Sequence, residues 1–91
     1  MLEFEWDPDK AASNAAKHGV TFEEAATVLG DPLSLTVYDP DHSLDEDRYI
    51  TMGTSMDGRL LLVSHTDRDD RIRIISARVA TKRERKAYEN G

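Results

Sequence analysis

The chain has 91 residues, no cysteine and a formal net charge of −6; that length is one domain with a modest core, and the missing cysteines exclude a disulfide framework and a thiolate metal site. Hydrophobic residues make up 38% and charged residues 33%, which is still enough Leu, Ile, Val and aromatic content for a folded rather than a disordered chain. No apolar run approaches the length of a membrane span and the first residues carry no signal-peptide pattern, so the sequence reads as a soluble cytoplasmic protein with no membrane partner.

Leu2, Phe4 and Trp6 alternate with Glu3 and Glu5, the pattern of a short strand with one apolar face. Asp7-Pro8 follows, a helix N-cap and first helical position. The spacing predicts a helix through the Ala-rich residues 11–16, stopping at Gly19, with Lys17 and His18 in its last turn. Thr21 and Glu24 have capping-box spacing and predict a second helix over residues 22–29, ended by Gly30-Asp31-Pro32. Leu33, Leu35 and Val37 alternate with Ser34, Thr36 and Tyr38 as a second strand.

Residues 39–47 form an acidic loop without an apolar period. Asp39, Asp41, Ser43, Asp45 and Asp47 alternate as calcium-loop ligands do, but Leu44 stands where the turn glycine belongs and Ile50 where the closing glutamate belongs. No metal and no other cofactor is therefore expected. Arg48 to Thr54 reads as a third strand, with Ile50 and Met52 on one face and Tyr49 and Thr51 on the other. Met56-Asp57-Gly58 supplies turn chemistry. Residues 60–66 open on an apolar run, Leu60 to Val63, and read as a central strand covered on both sides.

Residues 67–70 turn the chain into a strand in which Ile72 and Ile74 alternate with Arg71 and Arg73. Thr81 and Glu84 then cap a basic last helix. The expected fold is α+β: strand, two helices, four strands in a mostly antiparallel meander, and a terminal helix.

Charge is unevenly distributed. Residues 68–91 hold eight Lys/Arg and four Asp/Glu, whereas residues 1–67 hold four and fourteen. An acidic protein that gathers arginines on one strand and one helix is built to hold something anionic, although a charged edge strand that resists aggregation looks the same in sequence. Arg68, Arg71, Arg73 and Arg78 are the candidate phosphate ligands. Arg78 shares the parity of Ile72, Ile74 and Ser76, which points it to the apolar side, where an arginine needs a carboxylate or a ligand anion.

His65, His18 and Lys17 are candidates for moving protons, with a plain helix C-terminal cap as the competing role for His18. His42, in the acidic loop, reads as solvated. Ser76, Arg83 and Tyr88 are further candidates for positioning a nucleic-acid strand in such a basic groove. Trp6 reads as core by its strand parity, or as a base-stacking ring if it lies at the mouth of the basic groove.

Phe4-Glu5-Trp6-Asp7-Pro8 with Lys10, then Asn14, Lys17-His18-Gly19-Val20 and Phe22-Glu23-Glu24-Ala25, resembles the opening signature of the BrnT toxins. Arg73-Ile74-Ile75-Ser76-Ala77-Arg78, with Ala80, Thr81, Glu84-Arg85 and Tyr88-Glu89, resembles the closing one. The resemblance covers nearly the whole chain. It implies a RelE-like fold and a ribonuclease toxin of a type II toxin–antitoxin system that stops translation. It also implies a BrnA-type antitoxin with a ribbon-helix-helix part, in a heterotetramer that represses its own operon, so that operator DNA is met only through the antitoxin. The acidic balance departs from many RNA-cleaving toxins. The alternative is a non-catalytic module that binds protein or DNA and acts as a co-repressor; it predicts stable folding without toxicity.

Overall fold

A computed structural model describes residues 2–91. Its centre is β4 (Leu60–Arg68), the middle strand of a five-stranded sheet. On one side β4 pairs antiparallel with β3 (Arg48–Thr54), which pairs with β2 (Leu35–Tyr38) at one edge. On the other side β4 pairs antiparallel with β5 (Arg71–Val79), and β1 (Glu3–Glu5) adds to β5 in parallel. Two helices, α1 (Pro8–His18) and α2 (Phe22–Val28), cover one face, and α3 (Lys82–Asn90) follows β5. The expected α+β order of elements is thus found, with β1 making the sheet mixed.

The local signals explain most boundaries. Asp7 accepts from the Asp9 amide to start α1, and Gly19 ends it with φ 67°, a left-handed conformation that is cheap only without a Cβ. Thr81 and Glu84 form a complete capping box on α3. The box at α2 is only half made. Thr21 accepts from the Glu24 amide, but the Glu24 carboxylate turns away to Arg59 and Ser55. Arg59 also donates to the Gly19 carbonyl, so one arginine ties the α1–α2 turn, α2 and the β3–β4 hairpin together. β2 starts two residues later than its apolar alternation, because Asp31 accepts from the Leu33 amide and holds Leu33 and Ser34 in a turn.

The core lies between α1, α2 and the sheet: Val20, Phe22, Ala25 and Val28 pack on Leu61, Val63, Ile74 and Ala77. Ser64 pairs with Ser76 but His65 pairs with Ile74, so Ile75 is an extra residue on β5, a β-bulge. The bulge shifts the side-chain alternation. Before it Ile74 faces the helices, and after it Ala77 does. Ser76 and Arg78 therefore point to the opposite face, on the same side as Arg73. This corrects the parity argument: Arg78 does not share a face with Ile72 and Ile74.

The alternation of β2 is correct, but its apolar side, Leu35 and Val37, lies away from the helices and is more than half exposed. β4 is fully covered only on the helix side. Leu62 and Ser64, on the other face, line an open groove.

Past Arg73, β1 has ended and β5 has no strand neighbour on that side. Asn14 takes the vacant place. Its side-chain amide donates to the Ala77 carbonyl at 2.8 Å and accepts from the Ala77 amide at 3.1 Å, and it also donates to the Val20 carbonyl at 3.0 Å. A buried asparagine so satisfied holds α1 in register with the strand that carries Ser76 and Arg78.

Candidate active site

The face of the sheet away from α1 and α2 carries a groove of about 280 Å³ lined by His18, Asp39, His42, Arg48, Ser64, Ser76 and Arg78 over a floor that includes Ile50 and Leu62. The polar groups arrive from five segments of the chain. His18 is the last residue of α1 and reaches the groove at the open edge of β5. Arg48 begins β3, on the same face as Ile50 and Met52. Ser64 and Ser76 are cross-strand partners beside the bulge. His42 ends a short 3-10 turn (Pro40–His42) in the acidic loop, and its Nδ1 lies 2.8 Å from the Asp39 carboxylate.

Arg78 is held from α3. Its guanidinium makes a two-pronged pair with Glu84, at 2.7 and 2.8 Å. The same carboxylate accepts from the Thr81 amide, and these charge-assisted bonds, Arg78 foremost, hold its pKa down at about 2. The Arg78 guanidinium is thus fixed in plane and direction beside the groove.

The other candidate arginines are already engaged. Arg73 bonds Glu5 at 2.9 Å, Arg71 lies near Glu3 and Glu5, and Arg68 pairs with Glu46. Arg68 ends β4 and Arg71 and Arg73 begin β5, all outside the groove lining. Arg83 is exposed on α3. Tyr88 donates to the Leu33 carbonyl at 2.8 Å and closes an apolar cleft between α3 and Leu35, Val37 and Met52. Lys17 is exposed beside His18, in a second cleft that adjoins the groove.

Two candidates lie on the wrong side of the sheet for this groove. His65 points to the helix side, 6% exposed, stacked on Tyr49. Its Nε2 bonds Thr51, which bonds Thr36 in turn, while its buried Nδ1 has no partner among the described residues. Burial pushes its pKa down, with Asp67 pulling weakly the other way. Trp6 packs edge-to-face on Phe22, 5.9 Å between ring centres, so its ring belongs to the core.

Sequence reasoning missed Arg48 and treated His42 as solvated. Arg48 was legible in principle, since it shares the parity of Ile50 and Met52. The position of His42 depends on how the acidic loop folds back, for which no periodicity exists.

The chain matches the family model of the ribonuclease toxin BrnT of type II toxin–antitoxin systems over residues 6–84. The chain belongs to the BrnT family. The match spans every polar residue of the groove and ends at Glu84, the partner of Arg78. The crystal structure of the Brucella abortus ribonuclease toxin BrnT is similar in fold, with a TM-score of 0.65 and 22% identity over 90% of this chain and 100% of that one. No curated protein matches the chain. BrnT membership identifies an endoribonuclease toxin and implies an antitoxin partner. No helix among the described residues is long and apolar enough to cross a membrane.

Proposed function

We propose that this BrnT-family chain cleaves RNA, and thereby stops translation, in the groove of the open sheet face without a metal. The observation that carries the reading is the meeting there of two histidines, two arginines and two serines from five separate segments. Among the described residues there is no cluster of His, Asp and Glu suited to a metal ion, and the donor set of the groove is instead cationic and imidazole-rich. Such a set suits attack by the substrate's own 2′-hydroxyl. That attack is intramolecular, so the protein needs to align it, move two protons and stabilise charge on the phosphorane-like transition state.

His42, oriented by Asp39, takes the 2′-hydroxyl proton as base, as a carboxylate-backed imidazole does. His18 protonates the departing 5′-oxygen. Arg48 and Arg78 hold the non-bridging oxygens, Arg78 in the plane set by Glu84, and Ser76 hydrogen-bonds the phosphate or ribose. His65 keeps the sheet's far side in place rather than meeting substrate. The products are a 2′,3′-cyclic phosphate and a 5′-hydroxyl.

Cleavage is expected to survive chelator and to fail on RNA with a 2′-O-methyl group at the cut site. A 5′-thio leaving group, which needs no proton, is expected to rescue His18→Ala and not His42→Ala. Rescue of His42→Ala instead would invert the two roles, and activity lost to chelator and restored by a divalent ion would overturn the mechanism.

The antitoxin, in this reading, is of the BrnA type with a ribbon-helix-helix part. It silences the toxin by covering the groove, and the heterotetramer of the two represses their operon. The charge of the groove supports an acidic covering segment.

A further inference from the structure

A second cleft lies between α1 and the open edge of β5, lined by Lys10, Ser13, Asn14, Lys17, His18, Ile75 and Ser76. It shares His18, Ile75 and Ser76 with the groove, so the two are continuous across the bulge. Lys10, Ser13, Asn14 and Lys17 follow helical spacing and form one face of α1. Asn14 at its centre is spent on Ala77, which leaves the two lysines and Ser13 at the rim.

The charge distribution makes this cleft unusual for the chain. The acidic stretch, residues 1–67, contains only four Lys/Arg: Lys10, Lys17, Arg48 and Arg59. Arg59 is committed to Glu24. Neither lysine, nor Arg48, has a carboxylate within ion-pair distance among the described residues. Every uncommitted Lys or Arg of the acidic stretch therefore lines the groove or the cleft that continues it. Lys10 and Lys17 are seven residues apart, about 10 Å along the helix.

We infer that this cleft is a binding subsite for the RNA backbone next to the cut. It rests on the ribonuclease reading above. With the scissile phosphate at Arg48, Arg78 and His18, the strand leaves over Ser76 and Ile75 and its neighbouring phosphate lies between Lys10 and Lys17. Lys17 thereby acts as a phosphate ligand rather than a proton carrier. Point-charge contacts of this kind position a strand without reading its sequence.

The test compares a dinucleotide, whose only phosphate is the scissile one, with trinucleotides extended by one nucleotide on either side. Lys10→Ala is expected to leave dinucleotide cleavage within about twofold and to raise KM about tenfold for one of the two trinucleotides, with Lys10→Glu stronger and kcat unchanged. The salt slope of log KM for that trinucleotide should fall by about 0.7 per lysine removed. Binding of 2′-deoxy oligomers gives the same comparison without turnover. Equal effects on dinucleotide and trinucleotides, or none on any, overturn the subsite while leaving the ribonuclease in place. A wild-type chain that neither binds nor cleaves any of them overturns both readings.

Discussion

Asn14 serves Ala77 as a neighbouring strand would, giving and taking one hydrogen bond with its backbone from inside a helix. The fold thus ends β1 early, leaves the edge of β5 open for His18, and still satisfies the peptide group between Ser76 and Arg78.

Asn14→Ala removes three buried hydrogen bonds and strands the Ala77 amide and carbonyl. The expected cost is about 2–3 kcal/mol, a fall in Tm of roughly 10–20 °C for a domain of this size. Asn14→Asp is expected to be at least as damaging, since a carboxylate faces two carbonyls. Thermal melts of both variants check this; a loss under about 3 °C would mean that water or a rearranged α1 replaces the amide.

Arg78→Lys keeps the charge and loses the planar fork that Glu84 holds. Because the arginine side chain is 42% exposed, the stability cost is expected to be small, about 1 kcal/mol or less. Activity is expected to fall by about 10²–10³-fold if this group stabilises transition-state charge. Activity within threefold of wild type, with an unchanged melt, would remove Arg78 from the chemistry.

Stability should fall with acid in two separate windows. His65 is pushed below its ordinary value of 6.5 by burial, so the unfolded chain binds that proton more readily than the native one. Stability is full above that pH and declines as pH drops through and below it. Glu84, at about 2 against an ordinary 4.5, behaves as a salt-bridged carboxylate. Its contribution is present above pH 4.5 and is lost on the way to 2. Urea midpoints from pH 8 to 2.5 should show both slopes, and His65→Gln should abolish only the upper one. An unaltered upper slope in that variant would assign it to another group.

Thr81→Ala is expected to cost about 1 kcal/mol by removing the N-cap of α3. The helix has no buried residue, so little packing offsets the loss. An unchanged urea midpoint would show that Glu84 alone holds the helix start.

The parts of the fold legible in the sequence are those set by local chemistry. Gly19, Thr21, Thr81 and the period-2 runs of β3 and the start of β5 mark their elements directly. What the sequence hides is set by partners. Glu24 has capping-box spacing, yet Arg59, thirty-five residues away, outbids the backbone for its carboxylate. Leu35 and Val37 alternate as a core strand does, but α1 and α2 lie on the other face and α3 covers theirs only in part. Within the site, His18, Ser76 and Arg78 could be named from sequence, whereas His65 could not be excluded until β4 was paired, because one register step moves a side chain through the sheet. Trp6 kept its bland reading, packed on Phe22.

The extra residue at Ile75 makes the address of every later side chain on the strand a matter of counting. Deleting Ile75 places Ser76 directly after Ile74, so strict alternation keeps Ser76 and Arg78 on the groove face and Ala77 on the helix face; inserting one residue after Ser76, with the bulge kept, turns Arg78 inward and presents Ala77 to the groove. A one-codon insertion after Ser76 is therefore expected to be more harmful than deletion of Ile75, which a scan of both mutation classes for loss of toxicity would reveal. The strand can lose its surplus letter and still be read; it cannot take in another one downstream.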